Sequence, residues 1–472
     1  MNLEEKYAFS TIRAMSADIK AKRVSPVDLV EMFLQRIERY DSQLNAFITV
    51  APELARAQAK QAETEIRAGH YRGPLHGVPW GVKDIYDTKG IRTTWGSPIY
   101  KDRVPDRDST VVARLTSAGA VLMGKLATGE FAGGAIHLQG QVHNPWKLDR
   151  TSSGSSCGPG AATAGGLVTF SMGTETSGSI MGPSGSCGLT GLVPTYGRVS
   201  RYGVMSLSWS LDKCGPLCRT ADDVALVLSA VAGPDENDPT CRKAPFTFSG
   251  FKGNVKGMKL GVVRNEFYPA ERAGTKDLFD AALTKLTELG VHMEDVELDP
   301  QYPYQEILNL TDYCEASSAF EDIIRANRFD ECAQKGRMNN WAAGLAVPAA
   351  DYFRAQRIRA MVVQYTKTLF AKYDALVAPN NTAPAGPIQN DNGGTRGVRV
   401  GGGTPEGPPR HLANMCNISA LSYVSTRCGF KDDLPIGIKF VGPSFGEMKV
   451  LELAHAWEKA TTWNARNAQY AA

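Results

Sequence analysis

Three groups of residues in this sequence could do chemistry together. Lys83 ends the apolar run VPWGV. Serines fill a first glycine turn, Gly154-Ser155-Ser156, and more hydroxyls fill a second, Gly173-Thr174-Glu175-Thr176-Ser177-Gly178-Ser179-Ile180. Serine is a weak nucleophile until a base takes its proton. Histidine is the usual base, but the seven histidines form no motif with these turns. His76, the one nearest Lys83, reads as a structural hydrogen-bonding residue. A Ser–Lys pair is an alternative to Ser-His-Asp. It needs a neutral lysine, so the ordinary value of about 10.4 must fall through desolvation or neighbouring positive charge. A buried strand end supplies the desolvation. Snorkelling to water is the competing reading for such a lysine, and the flanking glycines and Asp84 favour a functional one.

The second turn has the makings of an oxyanion hole. Small residues let successive backbone N–H groups converge on one point, where they can hold a developing negative charge. A phosphate cradle is the rival reading, but GxxxxGK[ST] is absent because no lysine follows Gly178. Both turns belong to one stretch, residues 150–203, dense in glycine, serine and threonine yet carrying apolar segments at 161–172 and 188–193. A linker would lack those segments. A buried, hydroxyl-rich segment must direct many polar groups at something, so the stretch reads as an active-site floor.

The elements that must position this floor are legible on either side of it. Ser25-Pro26-Val27-Asp28 is a helix start, with Ser25 as N-cap and Pro26 in the first turn, and an apolar face at helical spacing follows. Residues 53–68 read as a second helix ended by Gly69, and 1–70 as a helical clamp outside the core. Residues 78–82 read as a short buried strand. A helix at 109–118 and a strand at 120–123 come next, and a helix at 220–232 has Thr220 as N-cap. Strand-like 258–263, helical 277–289 and strand-like 291–298 give a β-α-β order. The expected fold class is α/β, with a large mixed, mostly parallel central sheet covered by helices. Residues 303–373 read as a helical insertion on the substrate side and 375–378 as a short strand. Residues 383–410 read as a Gly/Pro-rich loop, 434–441 as the last strand and 447–458 as the last helix.

Composition narrows the class. The chain has 472 residues, 43% hydrophobic and 21% charged, as in a globular protein with a sizeable core. That length allows two to four domains or one large α/β unit, and one domain over 1–472 with a core at 73–233 is expected. A formal net charge of +3 gives no reason to expect a polyanionic partner such as nucleic acid. The N-terminal stretch lacks the apolar core of a signal peptide, and no apolar run is long enough for a bilayer. Nine cysteines without a disulfide pattern fit a reducing cytoplasm. Cys214 and Cys218 are the closest pair, and with no second pair to complete a zinc site they read as packing residues.

Taken together, the motifs resemble the amidase signature family. Its usual form is GGSSGGS, then GTDTGGSIR, then CGxxGLKPTYGRVSRYG, and the last reads here CGLTGLVPTYGRVSRYG from Cys187 to Gly203. The likeness extends to GPLHGVPWGVKD at 73–84, to Gly124-Lys125 and to LDKCGP at 211–216. The resemblance implies a Ser–cis-Ser–Lys triad acting on linear amides without metal or cofactor. It implies Ser179 as the nucleophile that forms the acyl-enzyme. Ser155, behind a cis peptide, would be the proton relay, and Lys83 the base. It also implies Thr176, Ser177, Gly178 and Ser179 as oxyanion donors, with Gly154, Ser156 and Glu175 in support.

The chain departs from that pattern at several points. Glu175 replaces Asp, Ser177 replaces Gly, Cys157 and Pro159 replace Gly and Ser, and Met181-Gly182 replace Arg and its neighbour. No triad member is lost. The main expectation is a hydrolase of a small, neutral aryl or alkyl amide, with a small-molecule partner and no nucleic acid or membrane; a homodimer is left open. An alternative is the glutamine-using subunit of a tRNA-dependent amidotransferase. The SRYG and LDKCGP segments resemble that branch, although it continues as GGSIRQP where this chain has SGSIMGP. A non-catalytic binding protein on the same fold is the alternative from another class. Pocket walls are expected from 127–143, 303–345 and 380–415, with Trp341, Tyr313 and Phe320 as aromatic candidates that could equally be core.

Overall fold

The computed structural model describes residues 2–388 and 411–468. Among them, eleven strands form one sheet. In chain order they are β1 (Phe47–Val50), β2 (Pro79–Lys83), β3 (Val121–Leu126), β4 (Phe170–Glu175), β5 (Thr190–Val193), β6 (Lys213–Cys218), β7 (Lys259–Val263), β8 (His292–Val296), β9 (Ala375–Pro379), β10 (Ser422–Lys431) and β11 (Leu434–Gly442). Across the sheet the order is β1-β3-β2-β4-β6-β5-β10-β11-β9-β7-β8.

The sheet is mixed, as expected, but parallel pairing is confined to two blocks. β2 runs parallel to β3 and β4, and β7 runs parallel to β8 and β9. Every other neighbouring pair is antiparallel. The expected parallel majority is therefore not met: antiparallel pairing runs unbroken from β4 to β9, and within that block β10 and β11 form a hairpin. Its two-residue turn is Asp432-Asp433, with φ of 53° and 62°. Positive φ at both positions is what a type I′ turn requires. Asp-Asp is a weak signal for that turn beside Asn-Gly or Asp-Gly, which is why β10 was not legible.

Helix starts follow their caps. The Ser25 hydroxyl accepts from Val27 N at 3.0 Å and opens helix Pro26–Leu44. Ser109 accepts from Val112 N at 3.4 Å ahead of Thr110–Ser117, and Thr220 accepts from Asp223 N at 3.2 Å ahead of Ala221–Val231. The first 70 residues are not helical throughout, since β1 lies among them and pairs with β3 at one sheet edge. Strands β2, β3, β4, β6 and β9 are buried along their whole length, the pattern of strands covered on both faces. Helix Pro52–Arg67 lies against β3, and Ala221–Val231 against β6. Helices Tyr304–Ala319, Lys335–Gly344, Ala349–Lys372 and His411–Ile418 pack on one another. The Gly/Pro-rich stretch at 383–410 lies outside the described residues from 389 on. Among the described residues, no helix is long and apolar enough to cross a membrane.

Candidate active site

Strand β2, third of the eleven strands from one edge of the sheet, carries Lys83 between β3 and β4. Trp80 stacks on Phe170 with ring centroids 5.7 Å apart, which presses β2 onto β4. A Cβ on Gly81 would meet the Leu126 side chain at 2.6 Å, so glycine is what lets β3 close on the other side. Lys83 is wholly buried. Its Nζ donates to Ser155 Oγ at 2.7 Å and to Thr174 Oγ1 at 2.9 Å. Among the described residues no carboxylate stands within ion-pairing distance of it. Burial without a counter-charge lowers the lysine to about 7, with only distant negative groups opposing the fall.

The first serine turn is held by close backbone contacts. The Gly154–Ser155 peptide is cis. A Cβ on Gly154 would lie 1.8 Å from Gly134 O, so no larger residue fits this backbone. Ser155 O accepts from Gly129 N at 3.1 Å. Ser156 ties the two turns together: its N donates to Ser179 O at 3.1 Å, and its hydroxyl donates to Thr174 O at 3.2 Å. Cys157 then opens the buried helix Cys157–Ala164. Its thiol donates to Ala127 O at 3.4 Å, and burial pushes it up to about 11. Cys157 is a packing residue in a place where a reactive thiol would be conspicuous.

The second turn hangs between the end of β4 and helix Met181–Cys187. Glu175 organises it. Its Oε2 accepts from Ile180 N at 2.6 Å and Met181 N at 3.2 Å, while Oε1 accepts from Tyr423 OH at 2.9 Å and Asn417 Nδ2 at 3.4 Å. Thr176 Oγ1 donates to Asp212 Oδ1 at 2.6 Å. Gly178 has φ +127° with open space where a Cβ would be, so conformation rather than crowding calls for glycine there. Among the described residues, the N–H groups of Thr176, Ser177, Gly178 and Ser179 have no acceptor. Ser179 is nearly buried and its hydroxyl likewise has no hydrogen-bond partner among them. A row of unspent donors beside a serine is a place for an oxygen anion. The Ser177 side chain points to solvent. Met181 is buried among Ile180, Leu189 and their neighbours, so the departure from arginine is absorbed by packing.

A cleft of about 410 Å³, partly open to solvent, lies beside this centre: Thr174 and Thr176 line it, with Ile85, Met205, Trp209 and Arg201 among its other walls, while Lys83, Ser155 and Ser179 do not. Arg201 lay in a recognised motif, but its place in a wall was not legible. Its guanidinium sits 4.6 Å from the Tyr196 ring and 4.9 Å from the Trp209 ring. It donates to Trp209 O, Tyr196 OH and Thr240 Oγ1. Of the expected aromatic wall, Phe320 and Trp341 stack at 4.7 Å and pack against Phe131 in the core. Cys214 and Cys218 are buried in β6. Thr174, Asp212, Asn417 and Tyr423 were not singled out from sequence, because each acts through a partner far away in the chain.

Comparison with known proteins finds relatives that match this chain along most of its length. The family model described as Amidase matches residues 28–451. A glutamyl-tRNA(Gln) amidotransferase subunit from Geobacter sp. (strain M21) is 37% identical over 489 residues, covering 97% of this chain and 98% of its own. The peptide amidase of Stenotrophomonas maltophilia shares the fold with a TM-score of 0.82 at 29% identity, over 96% of this chain and 97% of its own. A bacterial aryl acylamidase of the amidase signature family gives a TM-score of 0.86 at 25% identity, covering 98% of each chain. With its sheet, its paired serine turns and this full-length likeness, the chain belongs to the amidase signature family of hydrolases acting on carbon–nitrogen bonds.

Proposed function

We propose that this chain releases ammonia from a primary carboxamide through a serine acyl-enzyme, as the glutamine-using subunit of a tRNA-dependent amidotransferase does. The observation that carries the chemistry is the dry 2.7 Å contact between Lys83 Nζ and Ser155 Oγ. Near neutral pH a lysine brought to about 7 offers a lone pair. Lys83 takes the Ser155 proton as Ser155 takes that of Ser179, and Ser179 Oγ attacks the carbonyl carbon. The oxyanion forms against the N–H groups of 176–179. Loss of one such donor costs about 3–4 kcal/mol of transition-state stabilisation. Ser155 then passes a proton to the amide nitrogen, the C–N bond breaks and ammonia leaves. Water attacks the Ser179 ester, its proton returns along the same path, and the carboxylic acid is released. The glutamine reading is supported by curated relatives that match almost from end to end.

A second reading is a free-standing hydrolase of a neutral aryl or alkyl amide. It is favoured by Met181 and Gly182 in place of the usual arginine and its neighbour, and by apolar side chains of Ile85, Val204, Met205 and Trp209 in the cleft. Ammonia release from glutamine, aliphatic amides and anilides, measured for the wild type and Ser179→Ala, separates the readings. Glutamine turnover together with copurification of a tRNA-binding partner protein supports the first. Turnover of anilides alone supports the second. Full turnover by Ser179→Ala removes both.

A further inference from the structure

Glu175 is a buried carboxylate that grips the nucleophile turn, and it faces a buried cation that the chemistry above does not use. Lys213 is its cross-strand partner in the β4–β6 pairing. Lys213 and Glu175 are both shut away from solvent, at 3% and 0% exposure. They do not meet directly: among the described residues Lys213 has no carboxylate within 4 Å. Its Nζ donates instead to Leu211 O and, at 3.0 Å, to Asn417 Oδ1. Asn417 passes the link on, because its Nδ2 donates to Glu175 Oε1 at 3.4 Å. Tyr423 OH closes the ring, 2.9 Å from that carboxylate oxygen and 2.8 Å from Asn417 Oδ1. The other carboxylate oxygen holds the N–H groups of Ile180 and Met181, the two residues after Ser179.

A carboxylate taken out of water needs hydrogen bonds to replace its hydration. We propose that Lys213, acting through Asn417, is the positioning cation of the nucleophile turn: its ammonium holds the Asn417 amide, Asn417 and Tyr423 hold the Glu175 carboxylate, and that carboxylate fixes Ser179 and the N–H groups beside it. The inference rests on the reading of Ser179 as nucleophile. Glu175 from β4, Asp212 beside it in the chain, Arg359 from helix Ala349–Lys372 and Cys416 from helix His411–Ile418 are the titratable groups acting on Lys213. Burial brings the lysine down to about 8, with Glu175 the largest opposing influence. The cation is therefore present at neutral pH and lost as the pH passes about 8. Lys83 must lose its own proton near 7 before the serines react, so the two lysines bound a narrow active range from opposite sides.

The rate at which a fluorophosphonate probe labels Ser179, followed by mass spectrometry across pH, tests this without a known substrate. The wild-type rate should rise through pH ~7 and fall beyond pH ~8, following the two lysines. Lys213→Gln should label about 100-fold more slowly at neutral pH, the loss expected when a reacting atom is misplaced by an ångström. It should keep the acidic rise and lose the alkaline fall. Lys213→Arg, which keeps the charge, should hold its rate on the alkaline side. A merely structural lysine would not move these limbs. Wild-type rates with both limbs intact in Lys213→Gln would overturn the inference. If that variant does not fold, Asn417→Ala cuts the same link and must lose the alkaline fall, and a wild-type profile there overturns the inference equally. Absence of probe on wild-type Ser179 would refute the nucleophile assignment and take this inference with it.

Discussion

Replacing Lys83 by methionine separates its chemistry from the cost of burying it. Burial takes the lysine from its ordinary 10.5 to about 7. At about 1.4 kcal/mol for each pH unit, that fall corresponds to about 5 kcal/mol. The sign follows from which state holds the proton. Between about pH 7 and 10.5 the unfolded chain keeps the Lys83 proton and the folded chain has released it. Unfolding then takes up a proton, so the contribution of Lys83 to stability grows as pH rises through this window. Below pH 7 both states are protonated and the folded chain bears the full cost of a buried charge. Methionine has no proton to bind, so Lys83→Met should lose this slope. It also leaves Ser155 and Thr174 without their donor, at about 1–3 kcal/mol each, at every pH. The variant should therefore gain on the wild type by about 4 kcal/mol between pH 10 and pH 6.5. Urea unfolding followed by tryptophan fluorescence at several pH values reads this difference directly. Lys125 and Lys213 are also buried and lowered, but they are present in both proteins and cancel. In parallel kcat should fall about 10⁴–10⁶-fold, as when a member of a catalytic unit is removed. A stability difference that stays flat with pH, or a variant that retains turnover with an acidic limb near 7, would refute the account of Lys83 as a dry, neutral base.

Two further outcomes follow from the floor. Gly154→Ala puts a Cβ 1.8 Å from Gly134 O. Backbone must move to admit it, so the variant should lose about 1–3 kcal/mol of stability in urea and most labelling of Ser179; a wild-type unfolding midpoint would contradict the contact. Cys157, with a buried thiol pushed up to about 11, should resist iodoacetamide at about pH 7.5 in the folded protein and react once unfolded. Rapid alkylation of native Cys157 with loss of activity would show a reactive thiol and sink that account.

What the sequence determined by itself is what neighbouring residues dictate. Ser25, Ser109 and Thr220 cap helices because each hydroxyl reaches an N–H two or three residues away. Gly178 permits its turn because its own φ requires it. The apolar run before Lys83 reads as a short buried strand, and the family motifs located both serine turns. Tertiary structure decided what depends on residues distant in the chain. The lysine is lowered only because β2 lies covered between β3 and β4, and no local feature of VPWGVKD fixes that desolvation. Thr174 meets Lys83, Asp212 meets Thr176, and Tyr423 and Asn417 meet Glu175 across strands and helices that pair only in the folded sheet. The Asp432-Asp433 hairpin, nearly silent in sequence, brings Tyr423 to the floor and sets the antiparallel centre of the sheet. Local conformation rests on short-range sterics and hydrogen bonds, which a sequence carries on its face. Dryness, charge and the meeting of remote side chains belong to the packed whole.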